Sequence, residues 1–135
     1  MASGIYSRFL ENLMNGEVDL EGDTINVALY DNVHSFTASD TDYTTDNELP
    51  TANGYTQGGQ ALDTKAVATA GVTTSWDADN EAWAASTWTA YHAVLYDISV
   101  SNDLIASIDF GGAKTVAAGT FTIQWNASGI ITLAE

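Results

Sequence analysis

The sequence predicts a mainly β protein: an antiparallel β-sandwich, jelly-roll-like or barrel-like, of about 7–8 strands with one N-terminal amphipathic helix. Three observations predict it. Short runs of alternating apolar and polar residues recur between clusters of Gly, Asn and Asp at the spacing of sandwich strands. Apolar residues fall at helical spacing only near the N-terminus. No strand-helix-strand rhythm follows, which removes the doubly wound folds. At 135 residues, the chain is expected to form a single domain, 1–135, large enough for an ordinary core.

The helix is expected over about residues 4–15, where Ile5, Tyr6, Phe9, Leu10, Leu13 and Met14 share one face. Ser3 is the expected N-cap and Gly16 the expected C-terminal cap. A helix of this length plugs the open end or edge of a β-structure. Thr24 to Asp31 then alternates as a strand. From Asn32 to Gly59 the pattern dissolves into Ser, Thr, Asp, Asn and Gly with Pro50 as a breaker, a long irregular loop with room for a helical turn near Tyr43 to Leu49. Strands return at Gln60 to Thr69, Val72 to Trp76 and Glu81 to Ala85. Ser86 to Val100 is the longest apolar stretch, and Ala93 to Tyr96 is continuous enough for burial on both faces. Leu104 to Phe110 is closed by Gly111-Gly112, which reads as a strand end or a bulge. Thr120 to Glu135 reads as a hairpin about Asn126-Ala127-Ser128-Gly129, with Phe121, Ile123 and Trp125 facing the core.

Charge narrows the function. Eighteen Asp and Glu stand against 3 Lys and Arg, a formal net charge of −15. Nucleic acid is held by basic side chains neutralising phosphates, and Arg8, Lys65 and Lys114 are too few and too scattered for that. The same repulsion argues against anionic membranes, and no apolar run reaches the length of a span. Arg8 and Glu11 also interrupt any signal-peptide core at the N-terminus. With no cysteine, disulfides and thiolate sites are excluded. The acidity reads as a solvated, repulsive surface that keeps a protein of high copy number soluble.

No catalytic constellation is expected. His34 lies beside Ser35 in the polar loop, adjacent residues do not form a triad, and no G-x-S-x-G elbow is present. His92, in mid-strand, reads as a structural imidazole. Asp77-Ala78-Asp79-Asn80-Glu81 spaces oxygen ligands as a calcium loop does, but Ala82 occupies the place of the turn glycine and Trp88 that of the distal Glu. A solvated turn explains it more simply, so neither metal nor cofactor is expected. Trp88 and Trp125 lie in strong strand pattern and are expected in the core. Trp76 and Trp83 flank the acidic turn, and with Tyr43 and Tyr55 they form the candidate interaction surface, whose aromatic faces would suit a carbohydrate.

Four stretches together resemble a family of small structural proteins of tailed bacteriophages: "YSRFLENLMNGEVDLEGDTINVALYD", "ANGYTQGGQAL", "AYHAVLYD" and "ASIDFGGAKTVAAGTFTIQWNASGIITL". The resemblance implies a virion component. Small β-fold members of this kind act as capsid cement or decoration proteins that clamp the major capsid protein from outside, often as trimers. A place on the outer capsid surface, with the major capsid protein as partner and a homotrimer as the assembly, is therefore the expectation. A tail or fibre component and a carbohydrate-binding module for host-surface glycan are the alternatives.

Overall fold

The chain forms two antiparallel sheets and one short helix, a β-sandwich-like fold; the structure, a computed structural model, describes residues 3–134. Its elements are β1 (Gly4–Ile5), α1 (Ser7–Met14), β2 (Ile25–Tyr30), β3 (Gln60–Ala61), β4 (Ala66–Ala70), β5 (Thr73–Asp77), β6 (Glu81–Asp97), β7 (Asp103–Ile123) and β8 (Ile131–Ala134). Five strands pair in the order β1-β7-β6-β2-β3, and three in the order β4-β5-β8.

β6 and β7 dominate. The expected strands Glu81 to Ala85 and Ser86 to Val100 are one continuous β6, and β7 runs past Gly111-Gly112 to Ile123. The two glycines form a bulge: His92 pairs with Asp109 and Ala90 with Lys114, so Tyr91 alone opposes Phe110 to Ala113. Positive φ of 78° and 143° at Gly111 and Gly112 accommodates the extra chain. The register also slips on each side of Ser86 and between Leu95 and Tyr96. These irregularities curl the ribbon so strongly that the rings of Phe110 and Phe121, far apart along β7, lie 6.3 Å from each other. The curl carries the far half of the ribbon from the five-stranded sheet toward the three-stranded one.

The closing hairpin is not formed. Phe121 pairs with Trp83 on β6, whereas Ile131 in β8 pairs with Trp76 on β5. The turn about Asn126 to Gly129 therefore crosses from one sheet to the other. Turn chemistry and alternation were both present in the sequence, but neither dictates that the two arms pair with each other.

The helix is shorter than its apolar pattern. Gly4 and Ile5 pair with Ser107 and Ala106 as an edge strand, and Tyr6 is the N-cap without a side-chain bond. Ser3 is not the cap; its hydroxyl accepts the N–H of Asp109 at 2.9 Å. Gly16 does close the helix, at φ 71° with its N–H on the Leu13 carbonyl. Phe9 enters the main core, Leu13 packs against it, and Leu10 and Met14 face outward.

Two apolar clusters result. The main one fills the space between the sheets with Ile25, Val27, Leu29, Trp76, Trp83, Leu95, Ile105, Phe121 and Trp125. The second lies on the opposite face of the five-stranded sheet, where Ala28, Tyr30, Val94, Tyr96 and Leu104 join Tyr6. β2 is consequently buried on both faces, and so is the Ala93 to Tyr96 segment of β6. What covers the second cluster is the long loop.

Candidate functional site

The segment from Asn32 to Gly59 is held down along its length. Phe36 packs on Tyr6, and Tyr43 stacks on Tyr96 with ring centroids 4.1 Å apart. Single bridges join Glu48 to Tyr30 and Asp42 to Asp103. The expected helical turn near Tyr43 to Leu49 is a single turn at Asp46-Asn47. Its anchor is Glu48, a buried carboxylate that accepts from the Tyr55 hydroxyl at 2.5 Å, from the Gly58 N–H at 2.7 Å and from the Tyr43 hydroxyl. Tyr55 in turn accepts the Leu29 N–H at 2.9 Å. Burial first, then the bond to Glu48, pushes both phenols well above their usual range, so they remain donors.

Between this loop and the sheet lies an open cleft of about 530 Å³. Tyr6, Tyr30, Val94 and Leu104 form its floor, and the loop contributes His34, Asp40, Asp42 and Asp46 to its walls. With carboxylates on the walls and no Lys or Arg among the lining residues, the cleft repels phosphates and other anions. At one side His34 Nε2 stands 3.0 Å from Ser107 Oγ, a contact between loop and β7 that sequence spacing gave no means of finding. The two imidazoles of His34 and His92 meet at 5.0 Å. Burial holds both below the usual histidine range, and for His92 it outweighs the Asp109 carboxylate 4.0 Å away. A neutral imidazole beside a serine hydroxyl is the beginning of a nucleophilic pair. Ser107, however, is 1% exposed, pairs with Gly4 of β1, does not line the cleft and also bonds the Tyr6 phenol, an arrangement that ties the loop to the sheet.

The aromatic candidates do not form a surface. Tyr55, Trp76 and Trp83 are each 2% exposed, and Tyr43 is half-buried in its stack. Trp76 donates from Nε1 to the Leu20 carbonyl at 3.0 Å. The Trp83 N–H meets the Gln60 amide oxygen at 3.0 Å in the amide orientation that also donates to Glu81 at 2.8 Å. Trp125 lies in the core as expected, whereas Trp88 is only partly buried and packs against its rim.

The acidic turn is spent on structure. Asp77 accepts the Ala78 N–H, Asp79 accepts the Thr64 hydroxyl, and the Asn80 side chain accepts the Trp125 N–H at 3.2 Å. Glu81 points inward, where burial, then Asp63 and Asp79, raises it to about 7. Among the described residues no group of three or more His, Asp and Glu is placed to hold a metal ion, and no helix is long and apolar enough to cross a membrane.

The three-stranded sheet is the contrasting region. Its strands read AVATA, TTSWD and ITLA, with Asp77 as their one charged residue. Every residue of β4 is exposed, and Val67, Val72 and Leu133 show 41%, 65% and 51% of their surface. The molecule thus presents an acidic body with a tied-down loop, and a charge-poor sheet with an open edge. No protein-family model matches the chain, and no curated protein or solved structure is significantly similar to it.

Proposed function

We propose that the protein is a non-enzymatic structural component of a tailed-phage virion, a capsid cement or decoration protein seated on the outer surface of the major capsid protein lattice. The observation that carries this reading is the division of its surface: a rigid acidic body, whose polar side chains largely serve internal bonds, bears one charge-poor open sheet suited to contact. The charge of −15 suits an outer position, since it repels packaged genome and keeps abundant copies soluble. The trimer implied by the resemblance belongs to the same proposal, as an assembly formed on the capsid lattice and not by the free chain. Several modest contacts on adjacent capsomers would add up through multivalency to a stabilised shell.

Burial of Tyr55, Trp76 and Trp83 weakens the carbohydrate-binding alternative, since these rings are not exposed for stacking. The tail or fibre alternative differs in location alone, and reconstruction of the virion at side-chain resolution separates the two. Density for this chain on the outer shell is expected. Density confined to the tail, or absence from the particle, would end the cement reading.

A further inference from the structure

We propose that the outer edge of β4 is a self-association edge, along which two copies pair antiparallel about a two-fold axis at Ala68 and join their three-stranded sheets into one.

β4 ends its sheet, with β5 on one side and no strand on the other. The Val67 N–H points off that open side, where the carboxylate of exposed Glu21 takes it at 3.2 Å. Backbone groups alternate in direction along a strand, so the N–H and C=O of Thr69 also point outward. Glu21 occupies the position that a carbonyl oxygen of an added strand would take. It is the kind of charged guard that natural edges carry, and it is displaceable because Glu21 is solvent-exposed.

The occupant is read from the strand's own sequence. Ala66-Val67-Ala68-Thr69-Ala70 is a palindrome in size: turned about Ala68, each Val67 faces Thr69 of the other copy and each Ala66 faces Ala70. Val and Thr are near-isosteric β-branched residues that suit a cross-strand pair. The two residues whose backbone faces outward, Val67 and Thr69, then oppose one another, so each can bond the other's N–H and C=O. Electrostatics favours the sheet to which this edge belongs. Two bodies of charge −15 repel wherever carboxylates meet, and β4, β5 and β8 together carry only Asp77. An isologous contact of this kind closes at two copies and leaves no free edge of β4 to propagate. It goes beyond placement on a capsid and does not depend on it.

The test is sedimentation velocity of the full chain over a concentration series, for the wild type and for Thr69→Pro. Proline is tolerated on an edge strand where its nitrogen faces solvent, so this substitution removes the outward donor and leaves the β4–β5 ladder in place. A reversible dimer is expected for the wild type, weakened at least about tenfold by Thr69→Pro. Glu21→Gln, which removes the guard's charge and leaves β4 itself unaltered, is expected to tighten it. A wild type that stays monomeric throughout, or a dimer or larger oligomer that Thr69→Pro and Glu21→Gln leave unchanged, overturns the proposal. Neither result bears on the presence of the protein in a virion, which the reconstruction decides separately.

Discussion

The carboxyl groups of Asp97 and Asp23 meet at hydrogen-bonding range where β6 ends, and Asp97 is 2% exposed with its Oδ2 lacking any N–H or O–H donor. The remaining contacts are ordinary: Asp97 Oδ1 accepts the Ser99 N–H at 2.9 Å, and Asp23 Oδ2 accepts the Asp19 N–H at 2.8 Å. Two facing carboxylates need a proton between them. Burial, followed by the bond and charge of Asp23, raises Asp97 to about 7.

A pH dependence follows from that shift. The unfolded chain releases the Asp97 proton near 3.8, whereas the folded chain keeps it to about 7. The pair's contribution is therefore fully present below the unfolded value and is lost as pH rises through about 7. Asp97→Asn supplies a permanent amide donor to Asp23. It is expected to gain on the order of 2 kcal/mol over the wild type at about pH 8, and little at about pH 4. Urea unfolding of both proteins at the two pH values measures this, and a difference independent of pH would remove the shared proton.

Glu48 should be the most costly polar side chain of the loop to lose. Glu48→Ala leaves the Tyr55 and Tyr43 hydroxyls and the Gly58 N–H without their acceptor, the first of them in the core. A loss of about 3 kcal/mol is expected, since buried donors keep their full desolvation cost once the partner is gone. The effect should be local as well as global. Hydrogen exchange is expected to quicken at Gly58 and through residues 43–58 more than in β6, and uniform acceleration would count against Glu48 as the anchor.

Much of the architecture was legible in the sequence because it rests on local pattern. The sandwich class, the strand at Ile25 to Tyr30, the two-faced burial of Ala93 to Tyr96 and the cap at Gly16 all follow from periodicity and backbone preference. Pairing was not legible. Phe121 and Ile131 carry the signals of a hairpin, yet each finds its partner in a different sheet, a choice made by the curl of β6 and β7. The irregular course of the loop was legible but its anchoring was not, for a related reason: Glu48 and Tyr55 are unremarkable in a polar segment, and only the fold brings them together with the Leu29 N–H. Likewise His34 and Ser107 are distant in sequence and adjacent in space. Side chains that flank a polar turn were expected outside, and Trp76 and Trp83 lie inside because strand alternation continues through them.

Two glycines with similar backbone angles should respond differently to alanine. At Gly59, φ 78°, an added Cβ would run into the Val27 carbonyl and the adjoining backbone of β2. At Gly71, φ 63°, the added carbon meets open space. Gly71→Ala is expected to cost about 1 kcal/mol from the left-handed backbone alone. Gly59→Ala should exceed about 3 kcal/mol, because β2 is held between β6 and β3 and buried on both faces, with little room to yield. Thermal or urea melts of the pair decide it, and equal losses would place Gly59 away from β2.

Tryptophan fluorescence offers a direct check on the burial that argues against a sugar platform. Trp76, Trp83 and Trp125 are enclosed by the core, and Trp88 packs at its rim. Native emission is expected to be blue-shifted and largely protected from iodide, with most of the residual quenching removed by Trp88→Phe. Replacing Trp83 by Ala should cost about 4 kcal/mol, since the cavity would open beside Tyr55, Trp88 and Phe121. Trp83→Phe should cost less, leaving the Gln60 amide oxygen without its indole donor. A Trp83→Ala protein as stable as the wild type, with iodide quenching that falls when Trp76 or Trp83 is replaced, would return both indoles to the surface and with them the case for glycan recognition.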